Sequence, residues 1–326
     1  MGRGACALAV AVVGVCLSGT PTSVAGTTNP LAGVHFWVDP NGAAAQAAAK
    51  LRSQGDTTDA ASLDVLAAQP NAVWLTSTSA PTQISSTLSQ ATRAGQVPVF
   101  VTYYLPGRDC GGYSSGGAAN AGAYASWVNS IATTIGTSAA VVVVEPDAIP
   151  EIATGCFAQS AGAYESMLSA EIGKLKQLPK TSVYLDAGNP SWVTDPSKLV
   201  TPLQRSSLGT ADGFALNVSN FQTLTDDTGY GDRLSTLTGG KHYVVDTGRN
   251  GLGPLPPGSG YTGPSWCNPP GRAIGVKPTP ATGHGTADAY LWIKTPGASD
   301  GSCGLGDPPA GTFWVSYALG LVNRAS

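Results

Sequence analysis

Four consecutive valines, Val141-Val-Val-Val144, run directly into Glu145-Pro-Asp147, and no other stretch restricts the fold of this chain as strongly. A strand that is apolar at every position is buried on both faces, which in practice means a parallel sheet covered by helices. Pro146 has no N–H to give to a ladder, so pairing stops there and Asp147 is presented just past the strand's C-terminal end. In α/β barrels and open parallel sheets that end is where active sites are built. Taken alone, Asp147 reads equally well as the cap of a following helix or as a turn residue.

The flanking sequence favours the parallel sheet. Residues 33–39, 71–76, 97–104, 182–188, 213–218, 242–246 and 289–294 read as further strands. They alternate with helices over 43–52, 60–68, 83–93, 121–135, 161–178 and 312–323. Seven or eight strands alternating with helices mean a β/α barrel or a doubly wound sheet. With 326 residues, no long Pro/Thr/Ser linker and no internal repeat, one domain of catalytic size is expected over 26–326.

A formal net charge of -3 without a Lys/Arg cluster argues against a nucleic-acid partner. The N-terminus reads as an export signal over 1–25: Arg3, an apolar run over 5–17, and Ser23-Val-Ala25 as a small-residue cleavage site. That run is too short to span a bilayer, and Val15 before Cys16 does not suit lipid attachment, so a released, extracellular protein is expected. Removing Cys6 and Cys16 leaves Cys110, Cys156, Cys267 and Cys303, which in an exported protein read as two disulfides. With no CxxC pair and only His35, His242 and His284, a zinc site is not expected. The chain also lacks a Gly-rich phosphate loop, so no nucleotide cofactor is expected.

Acidic residues are scarce, yet they collect at strand ends: Asp109, Asp147, Asp186, Asp246 and Asp300. Like charges on one rim cost stability and raise some of their pKa values. Such an arrangement suits chemistry that needs one protonated and one ionised carboxyl. A calcium site is the rival explanation, but the EF-hand spacing is missing. Trp74, Trp192, Trp266 and Tyr103 also lie at or beyond strand ends. Core packing is the ordinary use of Trp in an α/β protein, but Trp192 and Trp266 fall in Pro/Gly/Ser-rich loops, which run over the surface. Flat rings beside carboxylates suit the apolar faces of sugars, and together these features point to a glycoside hydrolase.

Six ordered motifs sharpen this reading. They are Tyr103-Tyr-Leu-Pro-Gly-Arg-Asp-Cys-Gly111, Val144-Glu-Pro-Asp147, Tyr184-Leu-Asp-Ala-Gly188, Asp246-Thr-Gly-Arg-Asn-Gly251, Trp266-Cys-Asn-Pro269 and Trp292-Ile-Lys-Thr-Pro-Gly-Ala-Ser-Asp-Gly301. Over residues 29–324 the chain resembles glycoside hydrolase family 6, the inverting cellulases. The resemblance implies a distorted barrel of about seven parallel strands and hydrolysis of β-1,4-glucan with inversion, without a cofactor, by a monomer. It places the general acid on Asp147. Asp109 would raise the pKa of that acid and help order the water, Asp300 would be the candidate base, and Asp186 would support the charge network. Tyr103 would crowd the sugar at the cleavage point into a distorted ring. Trp74, Trp192, Asn217, Trp266, Lys294 and the position of Ala298 would line the glucan subsites. The disulfides would be Cys110–Cys156 and Cys267–Cys303.

The family's cellobiohydrolases carry long loops that roof the cleft. Here the stretches 188–212 and 267–303 are short, so an open cleft and endo-cleavage are expected. Three positions depart from the family pattern: Ala298 stands where a glutamate is usual, Asn189 where a histidine is, and Gly248 where a serine is. The loop with Ala298 is expected at the solvent-facing rim. Ala298 and Asn189 motivate the alternative of a glucan-binding pseudoenzyme with reduced or lost turnover.

Overall fold

The computed structural model describes residues 28–304 and 306–325, together with residues 1, 2 and 4. The expected export signal, with Cys6 and Cys16, lies outside the described residues apart from those three. Seven strands are found among the described residues: β1 (Val73–Leu75), β2 (Val99–Thr102), β3 (Ala140–Val144), β4 (Thr181–Asp186), β5 (Gly213–Leu216), β6 (His242–Asp246) and β7 (Ala287–Leu291). All six neighbouring pairs are parallel and follow sequence order. The helices are α1 (Ala43–Ser53), α2 (Thr57–Ala67), α3 (Ala80–Ala94), α4 (Ala121–Ile135), α5 (Ala148–Thr154), α6 (Ala161–Leu175), α7 (Ser197–Arg205), α8 (Leu224–Leu237) and α9 (Val315–Asn323).

The valine run does what an unbroken apolar strand must. Val141 and Val143 pack inward with Val99, Val101, Tyr184, Ala215 and Val244, while Val142 and Val144 pack outward with Ile131, Ile149, Leu168 and Ile172. One strand thus serves two cores, one inside the curled sheet and one beneath the helices. A third cluster joins α1, α2 and α9 over Trp292. The sheet curls far enough for its edges to meet, because the Ala72 N–H donates to the Trp292 carbonyl at 3.1 Å and the Trp74 Nε1–H donates to the Ile293 carbonyl at 2.9 Å. These bonds lie outside the ladder, so the architecture is a distorted barrel, as the resemblance implied. At its N-terminal mouth Asp288, the extra residue of a bulge, accepts a hydrogen bond from the Tyr184 hydroxyl at 2.7 Å and meets His242 Nδ1 at 2.7 Å.

Two expected strands change. Residues 33–39 make only one parallel bridge, Phe36 to Val97, with the His35 carbonyl and Trp37 amide both bonded to Val97. The last strand ends at Leu291 rather than Lys294, because the Asp246 carboxylate takes the amides of Ile293 and Lys294 at 3.2 and 2.9 Å. A side chain has replaced the ladder there, a competition that β-propensity does not register.

Candidate active site

Backbone strain marks one end of the barrel. Among the described residues, Asp109, Cys110, Glu145, Asp147, Ser207, Asn217, Ser219 and Asn268 have positive φ without being glycine. All but Ser207 lie in loops that leave the C-terminal ends of strands. Each such residue costs on the order of 1–3 kcal/mol, which persists only where the surroundings fix it. Asp147, with φ 75°, directly precedes α5, yet its side chain makes no capping bond to the helix. The capping reading therefore fails, and the carboxyl is left for another use.

Asp147 is half-buried and stands among other acids. The Tyr103 hydroxyl donates to its Oδ2 at 3.3 Å and lies 3.0 Å from the Ser114 hydroxyl. The amide and hydroxyl of Ser114 both donate to Asp109 Oδ2, at 2.6 and 2.9 Å, so Ser114 couples Asp109 to Tyr103. The Asp147 N–H donates to Asp186 Oδ2 at 2.9 Å. Lost hydration, followed by the charge of Asp109, pushes the Asp147 carboxyl up to about 7, against the opposing pull of Tyr103 and Lys294. Burial and then Asp147 raise Asp186 as well. The cluster can therefore keep a proton on Asp147 near neutrality, as a general acid requires.

A further acid went unnoticed in the sequence. Glu151 lies one helical turn beyond Asp147, and its carboxylate packs within 4.8 Å of the Cys110 and Cys156 sulfurs. Burial, then Asp147, Asp109 and Asp186, push it up to about 9. The four-residue spacing from Asp147 was the available signal.

Asp300 is placed differently. Its Oδ2 accepts from Arg249 Nη1 at 2.7 Å and from the Asn268 amide at 3.0 Å, while Lys294 Nζ stands 3.3 Å from Oδ1. Burial acts to raise this carboxyl, but Arg249 and Lys294 outweigh it and hold Asp300 below the ordinary aspartate range. It is thus ionised and ready to accept a proton, although the two cations weaken it as a base.

The aromatic residues divide by position. Trp74 meets Tyr103 edge to face at 5.3 Å, and Lys294 Nζ sits 5.6 Å from the Trp74 ring, so these three converge beside Asp147. Trp192 and Trp266 are exposed, as the loop reading required. Tyr113 packs against Trp266 at 6.1 Å and against Gly301, which has no room for a Cβ beside it. The loop of Asp109 thereby touches the loops of Trp266 and Asp300. Both disulfides pair as the resemblance implied, Cys110 with Cys156 and Cys267 with Cys303.

Two of the expected subsite positions are buried. Asn217 is fully buried and spends its amide internally, donating to the Asp246 carbonyl at 2.9 Å and accepting from the Gln222 amide at 3.1 Å. These bonds brace the end of β5. Ala298 is only 8% exposed and bridges Phe313, so it does not sit at a solvent-facing rim. The other two departures have local reasons. Asn189 Oδ1 accepts from the amides of Ser191 and Trp192, at 3.0 and 3.1 Å, building the turn that presents Trp192. A Cβ at Gly248 would come within 2.8 Å of the Lys294 carbonyl, which excludes serine unless that loop shifts.

Comparison with known proteins agrees with this geometry. Residues 31–325 match the family model described as glycosyl hydrolases family 6. The chain is 37% identical over 297 residues to Endoglucanase 1 of Streptomyces sp. (strain KSM-9), covering 90% of this chain and 76% of that one. It is 37% identical over 298 residues to Endoglucanase 1 of Streptomyces halstedii, covering 88% of each. Among solved structures, the endoglucanase Cel6 from Mycobacterium tuberculosis, in complex with methyl-cellobiosyl-4-deoxy-4-thio-β-D-cellobioside, superposes with a TM-score of 0.84. The two are 41% identical, over 91% of this chain and 99% of that one.

Proposed function

This chain belongs to the glycosyl hydrolases of family 6, and on that premise we propose that it is a secreted endoglucanase that hydrolyses β-1,4-glucan with inversion, Asp147 being the general acid. One observation carries the assignment. Asp147 is held in a strained position at the end of β3, under the Tyr103 hydroxyl, with its carboxyl pushed up to about 7. A carboxyl that keeps its proton near neutrality can protonate the departing glycosidic oxygen. Inversion then needs a water on the opposite face of the sugar and an ionised carboxylate to receive its proton. Asp300, ionised between Arg249 and Lys294, is the candidate base. Asp109, tied through Ser114 to Tyr103, raises the acid and helps order the water. Trp74, Trp192, Trp266 and Lys294 line the glucan, a role supported by the thio-oligosaccharide bound to the Mycobacterium relative.

Endo-cleavage rests on the short 188–212 and 267–303 stretches and on the relatives' names. Export is supported by the sequence signal and the two disulfides. Reducing-sugar release from carboxymethylcellulose tests the activity, and Asp147→Asn should lower it by on the order of 10²–10⁴-fold with oligosaccharide binding retained. Viscosity should fall well before reducing ends accumulate, and the new reducing end should appear as the α-anomer. Binding of cello-oligosaccharides without release above a boiled control would instead establish the pseudoenzyme.

A further inference from the structure

Beneath the strand that carries Asp147 lies a buried chain of polar groups that the catalytic roles leave unused. Glu145, at the end of β3, is 1% exposed, and Glu171, on α6, is 0% exposed. The Tyr124 hydroxyl, from α4, stands between them, 3.1 Å from Glu145 Oε1 and in short contact with Glu171 Oε2. A tyrosine hydroxyl has one proton to donate. It cannot satisfy two carboxylates at once, so one of the two carboxyls must carry a proton and donate back to Tyr124.

The surroundings decide which one. Both Glu145 oxygens already accept backbone amides: the Tyr104 N–H at 2.9 and 3.0 Å, and the Leu105 N–H at 3.1 Å. Those donors favour the ionised form of Glu145. Glu171 has no backbone amide on it: besides Tyr124 only the Thr102 hydroxyl acts on it as a donor, from beyond hydrogen-bond distance, and its buried Oε1 has no partner. The chain therefore reads Glu171–H to Tyr124–H to the Glu145 carboxylate to the amides that follow Tyr103. It joins the two rim segments that must stay in register, because Tyr103 precedes those amides and Asp147 lies two residues beyond Glu145. We propose that Glu171 is a positioning residue for the catalytic acid, acting as a neutral carboxyl whose trapped proton locks the end of β3 to the loop after β2.

This inference rests on the assignment of Asp147 as the acid, but the proton count does not. The charged and titratable groups around Glu171 are Tyr124 on α4 and Glu145 directly after β3, and Arg108 in the loop after β2 acts in turn on Glu145. Burial, followed by Glu145, raises Glu171, consistent with a proton held there.

The experiment compares Glu171→Gln, Glu171→Leu and Glu145→Gln in the full chain by thermal midpoint against pH and by kinetics on a soluble cello-oligosaccharide. A glutamine at 171 still donates to Tyr124 but does not titrate. Its kcat should stay near that of the wild type below neutral pH, and its midpoint advantage over the wild type should grow from about pH 5 to pH 8. Glu171→Leu removes the donor and should lose kcat with little change in KM. Glu145→Gln turns an amide donor against the Tyr104 and Leu105 amides and should be the most damaging, on the order of a hundredfold in kcat. A Glu171→Gln midpoint that runs parallel to the wild type at every pH would overturn the trapped proton. Glu171→Gln as damaging as Glu145→Gln, including failure of both to fold, would also overturn it. Wild-type kcat in Glu171→Leu would overturn the positioning role alone. Loss of activity in the wild type itself would strike the catalytic reading and leave the midpoint result standing.

Discussion

Asp300 is held by two cations, and that pairing decides what a neighbouring substitution does. Arg249 and Lys294 keep its carboxyl low, which secures ionisation but weakens proton abstraction. Ala298 lies two residues before it and four after Lys294. A glutamate there would compete for Lys294 and raise Asp300 toward the ordinary carboxylate range. Ala298→Glu should therefore raise kcat on a soluble oligosaccharide, by about tenfold if the change recovers about 1.4 kcal/mol. Because position 298 is buried, the same substitution should also lower the thermal midpoint, by an amount set by how fully the new carboxylate is paired. Unchanged or lower kcat would show that the site is built around alanine. At this scale strand ends and motif order mark the positions of Asp109, Asp147, Asp186, Asp300 and Tyr103, and the structure gathers Asp109, Asp147, Asp186 and Tyr103 into one hydrogen-bonded cluster. The internal bonding of Asn217 was not legible, since nothing in the sequence shows that its amide reaches the Asp246 carbonyl. Glu151 has only its four-residue spacing from Asp147 to mark it, and that spacing puts the two acids together only because 148–154 is the helix α5.

The elements that carry the chemistry are loops, and each is held by covalent and aromatic contacts more than by secondary structure. Cys110–Cys156 ties the Asp109 loop to the residue two beyond α5, across 46 residues of sequence, and Cys267–Cys303 ties the Trp266 loop to that of Asp300 across 36. Tyr113 then joins the two loop systems through Trp266 and Gly301. Closing loops of this length should contribute roughly 2–4 kcal/mol per bridge. Replacing Cys267 and Cys303 together by serine should lower both the thermal midpoint and the kcat, since Asp300 would lose its tether while Arg249 and Lys294 still pull on it. Mass spectrometry of the wild type should find these cysteines free of thiol reactivity, and four reactive thiols would refute the framework. Pairings of this kind become visible in sequence only through resemblance, because four cysteines alone allow three connectivities. The barrel strands were the opposite case, readable from apolar runs that need no partner to identify them. The exceptions, residues 33–39 and 292–294, are places where a single bridge or a carboxylate displaced the ladder.

Across the whole molecule the buried carboxyls act together on stability. Asp147 is pushed up to about 7 and Glu151 to about 9, and burial raises Asp186, Asp227 and Glu171 in the same direction. In the unfolded chain these groups release their protons near about pH 4. Between that value and their folded values the native state binds more protons, so stability falls as pH rises. The contribution is fully present below about pH 4 and is lost through about 7 for Asp147 and about 9 for Glu151. Asp300 works the other way: its carboxyl is lowered by Arg249 and Lys294 against burial, so its contribution is present above the unfolded value and lost as acid protonates it. The two trends place the maximum of the thermal midpoint on the acid side of neutrality. From about pH 5 to pH 9 the midpoint should fall by on the order of 5 °C, with the disulfides intact throughout. Asp147→Asn should flatten part of that fall, because the amide cannot titrate, while leaving the Glu151 contribution at higher pH. Calorimetry of the two proteins over a buffer series measures both slopes. A midpoint that rises from pH 5 to pH 8 would mean that the rim acids are ionised in the folded protein, and Asp147 would then lack the proton that its assigned role requires.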